Sequence, residues 1–263
     1  MNDTVKPELL SLPERLAALP PEVQALFTIP ENGKPDNISK DGCLELARLG
    51  KDAWNAWRTA FPVGGEQPLH RNCADFSGVD FRKVPINFSG FIFGDWANFS
   101  TAQWGDWADF SGARWGSNAD FIGTQWGDCA DFRGAKWGSD VDFRGAQWGD
   151  RACFSGADWY GVAKFQGAMW GAWTDFSKTH WRGWVSFSGE SWEKNRQLYL
   201  DEGHFEKARE WAAKRGLAPD SFQEIRFDEA CFANGVNFSN RKFFKKARFM
   251  NSNFDFEKKE IQR

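Results

Sequence analysis

Tyrosine and methionine are nearly missing from this chain, at 2 and 3 of 263 residues, and histidine is present only three times. The histidines, His70, His180 and His204, stand far apart and form no paired metal-binding motif. The five cysteines, Cys43, Cys73, Cys129, Cys153 and Cys231, are odd in number, dispersed and without a CxxC pair. That excludes a disulfide framework and a zinc site and points to small semi-buried thiols. No apolar run approaches the roughly 20 residues that cross a bilayer, so no membrane association is expected. The opening residues lack a basic segment followed by an apolar core, so a secretory leader is not expected and a cytoplasmic location is. An excess of one charge is missing too. Lys+Arg total 33 against Asp+Glu 36, which argues against direct nucleic-acid binding. Phosphate-loop and GxSxG signatures are also lacking, and Gly spacing dictated by a repeat makes any other Gly motif uninformative. No catalytic residue, cofactor or metal is expected, and the chain reads as a non-enzyme.

What is abundant is Phe, Trp and Gly, at 26, 16 and 26. From Phe76 to Trp192 an aromatic recurs in steps that, after Phe88, alternate between five and six residues. From Phe99 onward Phe and Trp alternate, in units such as ADFSGARWGSN and ADFRGAKWGSD. The one irregular step, Phe81 to Phe88, contains Pro85. An eleven-residue period also suits a right-handed helical supercoil. Two Gly per unit, each costing about 1 kcal/mol inside a helix, exclude that reading. A short extended segment followed by a tight corner, repeated, fits instead.

The Ala-Asp-Phe-x-x tandems resemble the pentapeptide-repeat family over roughly 73–192 and 222–254. GKDAWNAWR, with Gly50, Trp54, Asn55, Trp57 and Arg58, is similar to the helical segment that often precedes such repeats in bacterial proteins. The resemblance implies an all-β solenoid: a right-handed quadrilateral β-helix with an N-terminal helical cap and a helical insertion. It also implies that each central aromatic, and the small residue two before it, point inward. The chain departs from the family pattern in its six-residue steps and in Trp on alternate faces, which predicts coils of about 22 residues.

Five segments follow. Residues 1–36 are a Pro-rich segment expected to form short helical turns or to be partly disordered. Residues 37–70 are the helical cap, with one amphipathic helix over 41–61 carrying Leu44, Leu46, Leu49, Ala53, Trp54, Trp57 and Phe61. Residues 71–192 are the repeats. Residues 193–221 lose the period and read as a helical hairpin or a bent helix ending at Gly216. Residues 222–263 resume the repeat at Phe222, Phe227, Phe232, Phe238, Phe243, Phe249 and Phe254, with a basic tail carrying Arg241-Lys242, Lys245-Lys246 and Lys258-Lys259. With no second cap visible after Phe256, two expectations stand: a homodimer contact through the C-terminal end, or continuation in a longer protein.

Residues 22 apart stack on successive coils. Asp106, Asp128 and Asp150 then form one ladder, and Asp109 and Asp131, followed by Cys153 and Asp175, form another at the same corner. Like charges one coil apart repel by about 0.9 kcal/mol in water, and Arg133, Lys136 and Arg144 are expected to offset this. Asp before the aromatic also serves corner hydrogen bonds. The Trp ladders through Trp104 and Trp115 read as core, the alternative being an outward platform for sugars or bases. Trp96, Trp107, Trp173 and Trp184 fall off the inward register and make a candidate binding patch.

The expected function is therefore a non-catalytic scaffold that binds a protein partner through the insertion and the off-register tryptophans. The alternative is implied by the resemblance: some pentapeptide-repeat proteins imitate B-DNA in width and charge and inhibit or protect DNA gyrase or topoisomerase IV. For that alternative, the acidic ladders would stand in for phosphates.

Overall fold

A computed structural model describes residues 12–26, 38–61, 73–199, 201–245 and 247–253. Parallel bridges join Asn98 to Asp120, Gln103 to Gln125 and Asp109 to Asp131, and Arg114 pairs with Lys136. Each pairing is offset by 22 residues, so the chain is a β-helix with four ladders per coil. Phe99, Phe121, Phe143, Phe165 and Phe187 form one inner column, and Trp104, Trp126, Trp148 and Trp170 the next. Phe110, Phe132, Phe154 and Phe176 make the third, and Trp115, Trp137, Trp159 and Trp181 the fourth. All of these rings are buried, which leaves no outward platform of ladder tryptophans. Small residues two before each aromatic, such as Ala97, Ala102 and Ala113, are buried with them. Offset-stacked aromatic pairs add ~0.5–1.5 kcal/mol each beyond area burial.

Corner geometry explains the two step lengths. Five-residue corners carry a left-handed residue that is usually Gly, as at Gly112, Gly123, Gly134 and Gly145. In the six-residue corners the left-handed residue is not Gly: Trp107, Cys129, Arg151 and Trp173 all have φ between 61° and 64°. The Gly after each Trp serves a different need there. A Cβ on Gly127 or Gly149 would lie 2.5 Å from backbone of the preceding coil, so only Gly lets the coils approach.

Two departures from a uniform stack occur. The first coil is offset by 23 residues, Asp75 to Asn98 and Asp80 to Gln103, the extra residue lying in the Pro85 step. Between Thr174 and its partner Ile225 the offset is 51, so 29 residues are inserted without loss of a coil. Stacking resumes as Phe176 on Phe227 and Phe187 on Phe238.

The helices lie outside this column. Helices α1 (Leu12–Ala17) and α2 (Pro21–Gln24) fall in the Pro-rich segment. Helices α3 (Lys40–Arg48) and α4 (Lys51–Ala60) replace the single helix expected over 41–61. The break is at Gly50, whose φ of 91° no helical residue adopts; it leaves Leu49 exposed rather than in the core. Ser39 caps α3 by accepting from Gly42 N. Trp54 of α4 lies against Phe76, Phe91 and Phe93 and donates to the Ile92 carbonyl at 2.8 Å. Asn55 donates to Gly90 O and accepts from Ile92 N, filling hydrogen bonds on the first coil's free edge. The insertion holds α5 (Trp192–Arg196) and α6 (Glu202–Arg215), the latter ending on left-handed Gly216. No helix of the described residues is long and apolar enough to cross a membrane.

The basic tail differs from its expectation. Arg241 is buried, donating to the carbonyls of Phe187, Ser188, Ala168 and Pro219 at 2.7–3.1 Å with Phe222 beneath its guanidinium. Lys242, Lys245 and Arg248 pair with Asp220, Glu224 and Asp228. Sequence alone shows a run of bases; stacking the last coil on acids elsewhere neutralises them. Phe254, Lys246, Lys258-Lys259 and the expected C-terminal contact lie outside the described residues.

Candidate interaction surface

The two aspartate ladders do different work. In the first, Asp106 Oδ1 accepts from Asp128 N at 2.8 Å, Asp128 Oδ1 from Asp150 N at 2.9 Å, and Asp150 Oδ1 from Ala172 N at 2.8 Å. Each carboxylate ties its corner to the coil above. In the second, Asp109 and Asp131 accept from the backbone N–H two residues on, at 2.9 Å each, which closes the corner locally. Asp131 also holds Arg133 in a bidentate pair. Of the three bases expected to offset the stripe, only Arg133 does so. Arg144 pairs with Asp142 on another ladder, and Lys136 belongs to the strand column of Arg114 and Asp158.

The off-register tryptophans are exposed, at 44% for Trp96, 74% for Trp107, 54% for Trp173 and 41% for Trp184. They do not form one patch. Trp107 and Trp173 share a corner column three coils apart, about 14 Å at one strand spacing per coil. Trp96 and Trp184 occupy the other six-residue corner, diagonally across the column and four coils apart. Lys245 reaches over the Trp173 ring at 5.4 Å. Single residues recurring at 22-residue intervals reveal which corner they share, and that signal was present in the sequence.

The insertion packs beside the Trp104–Trp126–Trp148–Trp170 ladder. Tyr199 is buried against Gly123 and Gly145, donating its hydroxyl to Gly145 O at 2.8 Å. Gln147 Nε2 donates to Tyr199 Oη, and Gln125 Nε2 to Gln147 Oε1 at 3.0 Å. Burial raises the Tyr199 phenol above the ordinary tyrosine value, so it stays protonated and keeps donating. Met169 packs with Ala212 and Leu217.

Helix α6 therefore covers the later rungs of this ladder and leaves the earlier ones open. Between them lies a groove of about 800 Å³ whose floor includes Gln103, Gln125, Gly105 and Gly127, and whose wall is Lys207, Glu210, Trp211, Lys214 and Arg215. Asp80, Arg82 and Lys83 of the first coil close its far side. A second cleft of about 370 Å³ adjoins it, sharing Arg82, Trp104, Gly105 and Asp106 and turning the corner to Trp107 and Asp109. Thus Asp106 comes together with the insertion, Trp107 and Asp109 stand in the adjoining cleft, and Asp128, Asp131 and Asp150 continue along the same corner beyond it. Trp173 and Trp184 lie apart. Lys207, Lys214 and Arg215, and the glutamine floor, had no signal in the sequence that tied them to Trp107.

A rigid column of stacked β coils bearing a side helix over one ladder defines a repeat scaffold. The family model described as Pentapeptide repeats (9 copies) matches residues 121–169, so that stretch of the chain carries pentapeptide repeats. No curated protein and no solved structure matches the chain.

Proposed function

We propose that this chain is a non-catalytic cytoplasmic scaffold that binds a protein partner through the surface running from α6 to Trp107. One observation carries the reading: the insertion adds no rung to the column, yet builds a groove with it that opens toward an exposed tryptophan. In this reading α3 and α4 cap the first coil and the winding is right-handed, as parallel crossovers prefer. Five thiols, none in a disulfide, fit a reducing compartment.

The test is cross-linked capture from native bacterial lysate at low and moderate salt. The expected result is one partner retained by the wild type and lost from Trp107→Ala combined with Trp211→Ala, with that variant still folded by far-ultraviolet dichroism. Retention by the double variant, or capture of nothing, overturns the reading.

A second reading, imitation of DNA toward a type II topoisomerase, has one favourable observation. Asp106, Asp128 and Asp150 stack one coil apart without an ion pair among the described residues. Reversing all three to Lys would abolish an effect on gyrase supercoiling if the column imitates phosphates. The Arg133–Asp131 and Arg144–Asp142 pairs weaken that imitation.

A further inference from the structure

Helix α6 has two working stripes. Phe205, Ala208 and Ala212 are buried against the column and its partner helix. One step round, Lys207, Glu210, Trp211, Lys214 and Arg215 follow the i, i+3, i+4, i+7, i+8 spacing of a single helix face. That second face is exposed except for half-buried Trp211. It overhangs the open rungs Gln103 and Gln125.

The charges on this face are unmatched. Among the described residues Lys207, Lys214 and Arg215 have no carboxylate partner, whereas the other bases of the insertion, Lys194, Arg196 and Arg209, each have one. Lys214 and Arg215 do complement the α6 C-terminal dipole, which accounts for two bases in the last turn. It does not account for Lys207, two turns earlier, or for the concentration of all three over one groove. Across the groove, Asp80 is already satisfied by Arg82 and Lys83. The groove as a whole retains an excess of positive charge.

The floor adds polar recognition. Gln125 hands its amide N–H to Gln147, while Gln103 stands at the uncovered end of the same column. Three rungs, Asp80, Gln103 and Gln125, span two coil rises, about 10 Å, or roughly three residues of extended chain. Asp106 and Glu210 on the lining would repel a continuous phosphate backbone, but leave room for carboxylates spaced along a peptide. Arg215 lies 4.4 Å from the Trp211 ring, which orients its charge along the wall.

From this we infer that the groove between α6 and the Gln103–Gln125 rungs seats a short extended acidic segment of the protein partner. The inference rests on the scaffold reading and names the chemistry of what it holds. Lys207, Lys214 and Arg215 meet the carboxylates, and the glutamine amides meet the peptide backbone.

Fluorescence anisotropy of a labelled Glu-rich decapeptide on the full chain tests this. Binding that weakens as salt rises is expected. Charge reversal at all three positions, Lys207→Glu, Lys214→Glu and Arg215→Glu, should weaken it at least tenfold. Reversal of Arg133, Lys136 and Arg151 on the open column should leave it within twofold, and Gln103→Ala should weaken it several-fold. No binding at low salt, equal loss in both triple variants, or equal affinity for a duplex oligonucleotide would overturn the inference. The scaffold reading fails separately: peptide binding without any captured partner sinks the scaffold alone, and a captured partner indifferent to the α6 reversals sinks the groove alone.

Discussion

Thr124 Oγ1 accepts a hydrogen bond from Trp126 Nε1 at 2.9 Å and returns its own proton to the Phe121 carbonyl, also at 2.9 Å. Thr179 does the same between Trp181 and Phe176 O, at 2.8 and 2.7 Å. At the other ladder tryptophans the equivalent position is Ala, and the indole N–H of Trp104, Trp115, Trp137, Trp148, Trp159 and Trp170 has no partner among the described residues. A buried, unpaired donor costs about 1–3 kcal/mol. The column bears that cost six times and relieves it twice.

Ala146→Thr should therefore stabilise the protein by ~1 kcal/mol by supplying the missing acceptor to Trp148. Thr124→Ala should destabilise by a similar amount. Urea unfolding followed by far-ultraviolet dichroism measures both. A destabilising Ala146→Thr would mean that the coil has no room for the extra methyl and hydroxyl.

Glycines at the two kinds of corner should respond differently to alanine. A Cβ on Gly149 meets Gly127 O and Asp128 Oδ1 at 2.5 Å, so Gly149→Ala must separate two coils. A loss of ~3 kcal/mol or more is expected. Gly156, with φ 71° and open space around it, should lose only about 1–2 kcal/mol as Ala, the cost of a left-handed side chain. Equal losses at the two positions would contradict the close approach.

Arg241 fastens together the points where the insertion leaves and rejoins the column, since it bonds Ser188 O and Pro219 O at once. Arg241→Met keeps most of the packing over Phe222 but orphans several buried carbonyls. It should lower stability by ~3 kcal/mol and raise the rate at which α5 and α6 are cleaved by protease. A variant with the same global loss but no change in proteolysis of 190–220 would deny the fastening role.

Cysteine reactivity should follow exposure and burial. Cys231 is exposed, whereas Cys43 is buried and its thiol is pushed up to about 11. The thiolate is the reactive form, so near neutral pH a maleimide should modify Cys231 first and Cys43 last. Native Cys43 should gain reactivity only as pH climbs toward 11, and unfolding should abolish the difference. Early labelling of Cys43 at neutral pH would show that α3 opens readily from the column.

Much of this architecture was legible because aromatic spacing is an unusually direct record of backbone geometry. A ring every five or six residues, four to a coil, specifies which residues stack. Where the reading stopped has physical causes. The α3–α4 break hinges on one dihedral at Gly50, while Leu and Trp keep a helical spacing across it. The burial of Arg241 depends on where a 29-residue insertion rejoins the stack, and a basic dipeptide carries no trace of that. Likewise the groove joins Gln103 and Gln125 to a helix beginning at Glu202, a pairing to which the 22-residue period is blind. The 22-residue period puts the ladder aspartates on one corner, but their hydrogen bonds to the next coil emerge only from the backbone path.

The indole ladders also make the molecule an optical object. Trp104 and Trp126 lie 3.9 Å apart with ring planes 2° from parallel, and the ladder continues to Trp170 at separations up to 5.4 Å. Transition dipoles held at such spacing couple, so the stacked rings absorb collectively rather than one by one. Excitation delivered to one rung migrates along the column, and the emission of the buried rings is shared rather than local. The exposed Trp107 and Trp173 stand outside that shared system, and the light they emit is the part of the spectrum an arriving partner would change.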